Sequence, residues 1–126
     1  MRALLIVSAA NGFLAVLLGA FGAHGLRTRF AALPDAVERL DWWRTAASYH
    51  LVHALAIGMA ALVALRAPST AAVLAGWAFS AGVILFSGSL YALSVTGVRG
   101  LGAVTPFGGL LLLAGWACLL WAAVRS

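Results

Sequence analysis

The 126-residue chain is 64% hydrophobic and 9% charged, against about 45–50% and about 25% in an ordinary soluble domain. A domain of this length leaves about a third of its unfolded-chain surface exposed, so lipid must cover the excess and a water-soluble globule is excluded. The net charge of +5 comes from eight arginines against Asp35, Glu38 and Asp41, with no lysine; this excludes a lysine nucleophile, and the absence of carboxylates from the apolar runs disfavours acid-pair hydrolysis and buried proton coupling.

Four uncharged apolar stretches, Ala3–Ala23, Ala46–Leu65, Ala71–Val95 and Phe107–Val124, each approach the roughly 20 residues that a helix needs to cross hydrocarbon. They predict an all-α integral membrane four-helix bundle in one transmembrane domain, 1–126, with spans at 3–25, 45–65, 71–95 and 106–124. A cleaved signal peptide over Met1–Gly22 is the competing reading of the first stretch, but its uncharged run exceeds the usual core of about 7–15 residues.

Between spans one and two, residues 30–44 read as an interfacial amphipathic helix that runs on into the second span. Pro34 suits a helix start, and Val37, Leu40 and Trp43 or Arg44 fall on one side. Asp35 precedes Arg39 by four positions, the favourable order for an ion pair. Trp42 and Trp43 are expected as headgroup anchors.

Alternating crossings bring the end of span one, the start of span two, the end of span three and the start of span four to one leaflet. The polar side chains concentrate there: His24, then Tyr49, His50 and His53, then Ser87, Ser89, Tyr91 and Ser94, then Thr105. The opposite leaflet offers Ser8 and Ser80, with Asn11 near the centre. The expected polar or ligand-binding cluster is therefore His24, Tyr49, His53, Ser87, Ser89, Tyr91 and Thr105.

His24, His50 and His53 also raise a zinc or haem reading, since neutral imidazole is the commonest metal ligand. Their spacing matches no established zinc pattern, so no metal and no cofactor are expected. Ser80, Ser87 and Ser94 repeat every seven residues and serve close packing better than a permeation path. Gly19 and Ala23 on span one, and Gly76 and Ser80 on span three, continue the spacing of small residues that lets helices approach. The lone Cys118 makes no intramolecular disulfide. The arginines are spread over separate segments and form no nucleic-acid stripe.

Gly19-Ala20-Phe21-Gly22-Ala23-His24-Gly25-Leu26, Tyr49-His50-Leu51-Val52-His53-Ala54-Leu55, Phe86-Ser87-Gly88-Ser89-Leu90-Tyr91 with Thr96-Gly97, and Leu101-Gly102 with Thr105-Pro106-Phe107-Gly108-Gly109 and Gly115-Trp116 occur in the order of the motifs of a known family. On them the chain resembles the small YgdD-like inner-membrane family, the domain of unknown function four-two-three. The resemblance implies a multi-pass protein of the bacterial inner membrane and no assigned activity. It also implies an amide more often at the place of His50, against a three-histidine metal site.

Three function classes compete. Catalysis lacks an acid to orient the histidine, tyrosine and serine side chains, so no enzyme is expected. Transport needs a hydrated path that four short helices enclose only as an oligomer. An accessory or self-associating component of a membrane complex needs only packing faces and a stable fold. This third class is the expectation, with the lipid bilayer and a homo-oligomer or larger complex as partners, and a lipid headgroup or small ligand in the polar leaflet. Arg27, Arg29, Arg39, Arg44 and Arg99 flank that leaflet and Arg2, Arg66 and Arg125 the other, so the polar leaflet is expected on the cytoplasmic side.

Overall fold

A computed structural model describes residues 1–125. The chain is all-helical, with four helices long and apolar enough to span a membrane: α1, Arg2–Phe30; α2, Ala36–Arg66; α3, Thr70–Thr96; and α4, Thr105–Arg125. A 3-10 turn, Arg99–Ala103, precedes α4. Helices are what lipid permits, because every backbone amide away from water must be paired within its own segment.

The punctuation in the sequence sets the helix ends. Ser69 caps α3, its hydroxyl accepting from the Ala72 N–H at 3.2 Å. Gly97 ends the same helix in the left-handed region at φ 69°, its N–H donating to the Leu93 carbonyl at 2.8 Å; glycine adopts this conformation without a Cβ clash.

The amphipathic segment runs on into span two, as its sequence suggested. Residues 31–35 form the turn after α1, Asp35 occupies the N-cap, and the helix runs unbroken for 31 residues to Arg66. At 1.5 Å per residue that is about 46 Å, longer than the roughly 30 Å hydrocarbon core, so the first turns of α2 supply the interfacial element. The expected i,i+4 pair is present, with Arg39 Nε donating to Asp35 Oδ2 at 3.0 Å.

The helices pack as a staggered row, in which α1 lies against α2, α2 against α3 and α3 against α4. Among the described residues α1 and α4 do not meet, so the bundle is not closed into a ring. Its central core joins Leu4 from α1, Ile57 and Ala61 from α2, Phe79 from α3, and Leu112 and Leu119 from α4. Because lipid is as apolar as these side chains, close packing rather than transfer from water holds such a core. The α3–α4 contact shows how close: Gly115 faces the Phe79 ring, Gly82 faces Leu112, and a Cβ on Gly108 would fall on the backbone of Phe86. As residue numbers rise along α4 they fall along α3, which is antiparallel packing.

Of the four residues expected at packing faces, Gly76 is buried with Leu4 against it. A Cβ on Gly19 would meet only the Ala47 Cβ, at 4.0 Å. Ser80 donates to the Gly76 carbonyl of its own helix at 2.8 Å. Ala23 is exposed, and its neighbour Gly22, at the start of a five-residue π turn, Gly22–Leu26, is the buried small residue here.

Candidate functional site

The π turn determines where Trp43 goes. With no side chain on Gly22, the Trp43 indole lies directly against that backbone. Its Nε1 donates to the Leu18 carbonyl at 2.7 Å, and its rings meet Tyr91 at 4.6 Å and Phe21 at 5.9 Å between centroids. Trp43 is 5% exposed, so it is a core residue and not the headgroup anchor its sequence position suggested. Trp42 keeps the more peripheral place, half-buried under the Arg99 guanidinium at 5.5 Å from the ring.

The polar residues expected as one cluster divide among separate contacts. Three residues apart on α2, His50 and His53 point to different interfaces. His50 lies where α1, α2 and α3 meet. Its Nε2 donates to Asn11 Oδ1 at 3.0 Å, and its Nδ1 accepts from the Tyr91 hydroxyl at 3.0 Å. The Asn11 amide is oriented by its own Nδ2, which donates to the Val7 carbonyl at 2.8 Å. With the imidazole neutral, these partners select one tautomer.

His53 faces α3 and α4. Its Nδ1 donates to the Tyr49 carbonyl at 2.7 Å, and its Nε2 accepts from Trp116 Nε1 at 3.1 Å. Tyr49 stacks on it with centroids 5.8 Å apart, and Phe79 closes the other side at 5.6 Å. Tyr49, His53 and Trp116, with Phe86, Pro106 and Leu110, line an open groove of about 420 Å³ on the flank of the bundle. Both imidazoles are 5% exposed and spend both ring nitrogens on protein partners, which leaves neither a lone pair for a metal.

The remaining residues make local ties. Ser87 Oγ donates to the Ala46 carbonyl at 2.8 Å, and Ser94 Oγ donates to the Arg39 carbonyl at 2.7 Å. The two bonds lie seven residues apart on each helix and staple α2 to α3, which is the packing use of the serine stripe. Ser89 and Thr105 share a hydrogen bond of 2.6 Å between α3 and the start of α4. Ser8 Oγ donates to the Ala54 carbonyl at 2.8 Å between α1 and α2. Among the described residues no buried side-chain nitrogen or oxygen lacks a partner.

His24 departs furthest from its expected place. It is exposed and lines a separate groove of about 370 Å³ between α1 and the first half of α2, with Arg27 and Arg44. The structure thus brings Tyr49 to His53 and Ser89 to Thr105, associates Tyr91 with His50, and leaves His24 apart. Asn11 and Trp116, the partners of the two buried histidines, were not among the expected cluster. At i,i+3 the two histidines are neighbours on the helix surface, so their spacing alone carried no signal that they take separate partners.

The family model described as protein of unknown function DUF423 matches residues 18–109. The chain is 44% identical to the UPF0382 membrane protein YwdK of Bacillus subtilis over 126 residues, covering 99% of this chain and 98% of that protein. It is 39% identical to a UPF0382 membrane protein of Staphylococcus epidermidis over 125 residues, covering 99% and 98%. It is 40% identical to the UPF0382 inner membrane protein YgdD of Escherichia coli K12 over 124 residues, covering 98% and 91%. No solved structure matches the chain. The chain belongs to the DUF423 family, and with its four apolar spanning helices it is a multi-pass protein of the inner membrane.

Proposed function

We propose that this DUF423 protein is a non-catalytic accessory component that associates with itself or with a larger membrane complex, and that its polar end holds a lipid headgroup or small ligand. The observation that carries the reading is the state of the polar interior. His50, His53, Ser87, Ser89 and Ser94 are buried, and each is bonded to another part of the protein. A catalytic base needs a lone pair aimed at a substrate, and a permeation path needs polar groups facing water. Here those groups tie helices together.

What the fold leaves available is its flanks. Helices α1 and α4 end the row, and Phe13 and Val16 on α1, like Leu113 and Leu120 on α4, face outward. The same helices expose Ala9, Ala10 and Ala20 on α1 and Ala114 and Ala117 on α4, and small residues on an outward face suit helix association in lipid. Native mass spectrometry of the full chain from mild detergent tests the reading. A discrete oligomer or a stoichiometric protein partner is expected. A bare monomer, together with solute flux in proteoliposomes that Ser87→Ala or His53→Ala abolishes, would replace the reading with transport.

A further inference from the structure

The polar end of the bundle carries five arginines, Arg27, Arg29, Arg39, Arg44 and Arg99, and the chain's three acids. Arg39 pairs with Asp35 at 3.0 Å, Arg99 with Glu38 at 3.0 Å and Arg44 with Asp41 at 3.5 Å. The acids are then used up, and among the described residues Arg27 makes no ion pair.

Arg27 nevertheless faces a cavity. It lines the groove of about 370 Å³ beside the π turn with Gly19, Gly22, His24, Trp43 and Arg44, and no acid lines it. The indole N–H of Trp43 is already spent on the Leu18 carbonyl, so the side-chain donors left to a ligand are Arg27, Arg44 and His24. The Arg44–Asp41 pair is long, and its side chains are 61% and 65% exposed; a pair so solvated exchanges partners at little cost. Two guanidiniums, one unpaired and one held only by the solvated Asp41 contact, together with an imidazole, match a group with several anionic oxygens, and arginine's planar fork fits phosphate. The groove lies between α1 and α2 at the polar end, and deeper along α1 exposed apolar side chains such as Val16 and Leu17 offer the kind of surface that acyl chains below a bound phosphate would meet.

We infer that the groove between the π turn of α1 and the first half of α2 binds the phosphate group of an anionic phospholipid through Arg27 and Arg44, with His24 at its edge. This rests on the proposed ligand-holding polar end and names its site and ligand class. It does not depend on association.

The test counts retained lipid per chain by native mass spectrometry after exchange into nanodiscs of phosphatidylglycerol or phosphatidylcholine, so monomer and oligomer are read alike. Phosphatidylglycerol retained in preference to phosphatidylcholine is expected. Arg27→Gln and Arg44→Gln should each lower its occupancy about ten-fold, as loss of a charge-assisted contact would. Arg29→Gln, which removes the same charge from the same segment outside the groove, should leave it unchanged. Arg27→Lys should retain part of the binding, which separates loss of a contact from loss of fold. Equal loss in Arg29→Gln, or wild-type occupancy in Arg27→Gln, would overturn the site. Titration with inorganic phosphate in phosphatidylcholine discs separates the two sources. Phosphate binding that Arg27→Gln abolishes, without retained phosphatidylglycerol, would assign the groove to a soluble anion and overturn the lipid.

Discussion

Arg39 and Ser94 exchange hydrogen bonds: Arg39 Nη1 donates to the Ser94 carbonyl at 3.3 Å, and Ser94 Oγ donates to the Arg39 carbonyl at 2.7 Å. The same Nη1 reaches the Val95 carbonyl at 3.2 Å, so the guanidinium caps the last turn of α3. A cation there meets the negative end of the helix dipole and carbonyls that no later turn can satisfy. One pair of residues thus joins the interfacial start of α2 to the end of α3.

Removing this tie should cost stability without changing the fold. Ser94→Ala should lose about 1 kcal/mol, the net value of one hydrogen bond, because the Arg39 carbonyl keeps its helical partner. Arg39→Met should cost more, about 1–3 kcal/mol, by stripping the carbonyls of a charged donor. Thermal unfolding in one mild detergent compares them. A larger loss in Ser94→Ala than in Arg39→Met would contradict the capping role.

The α3–α4 contact predicts opposite effects at two glycines. Gly108→Ala would place a methyl on the Phe86 backbone, which has no rotamer to move, so a loss above about 3 kcal/mol or failure to accumulate is expected. Gly88 is exposed in mid-helix, with open space for 4 Å around the place a Cβ would take. Gly88→Ala should be neutral or stabilise by up to about 1 kcal/mol. Unfolding temperatures that move alike for both would show that the helices are not packed this closely.

Asn11, His50 and Tyr91 should behave as one unit. Tyr91→Phe leaves a buried His50 nitrogen without its donor, and Asn11→Leu leaves the other without its acceptor; each should cost about 1–3 kcal/mol. Because both act through one imidazole, the double variant should depart from additivity by more than about 0.5 kcal/mol. Additive losses in a double-mutant cycle would mean that His50 does not link α1 to α3.

Much of this was legible in the sequence. The four apolar stretches predicted the helices, and the Asp35–Arg39 spacing predicted the ion pair found at 3.0 Å. The seven-residue serine repeat foretold packing because two antiparallel helices keep that register. The azimuth of side chains near the π turn was not legible. Parity places His24 in the right leaflet, but an extra residue in the turn at Gly22–Leu26 rotates the side chains around it, and no 3.6-residue pattern records it. Trp43 was misplaced for the same reason, since a tryptophan before a span reads alike whether it faces headgroups or a glycine gap. The division of His50 from His53 depends on partners from α1 and α4, which sequence spacing on α2 alone does not contain.

Orientation rests on the arginine bias and gives a prediction of its own. With the polar end cytoplasmic, the turn holding Ser69 between α2 and α3 lies outside, and Asp41 at the polar end lies inside. A membrane-impermeant thiol reagent applied to intact cells should label Ser69→Cys and spare Asp41→Cys until lysis, in a Cys118→Ala background. The reverse pattern would invert the protein.

The claim that the flanks of the row serve association is tested most directly inside the native membrane. A photo-crosslinking amino acid placed at Phe13 on α1 or Leu120 on α4, which are 71% and 67% exposed, should capture a protein of discrete mass in living cells. The same group at buried Ala122 should capture none. Discrete adducts at either flank position are the predicted result; adducts to lipid alone at both, with protein nowhere along α1 or α4, would contradict the account.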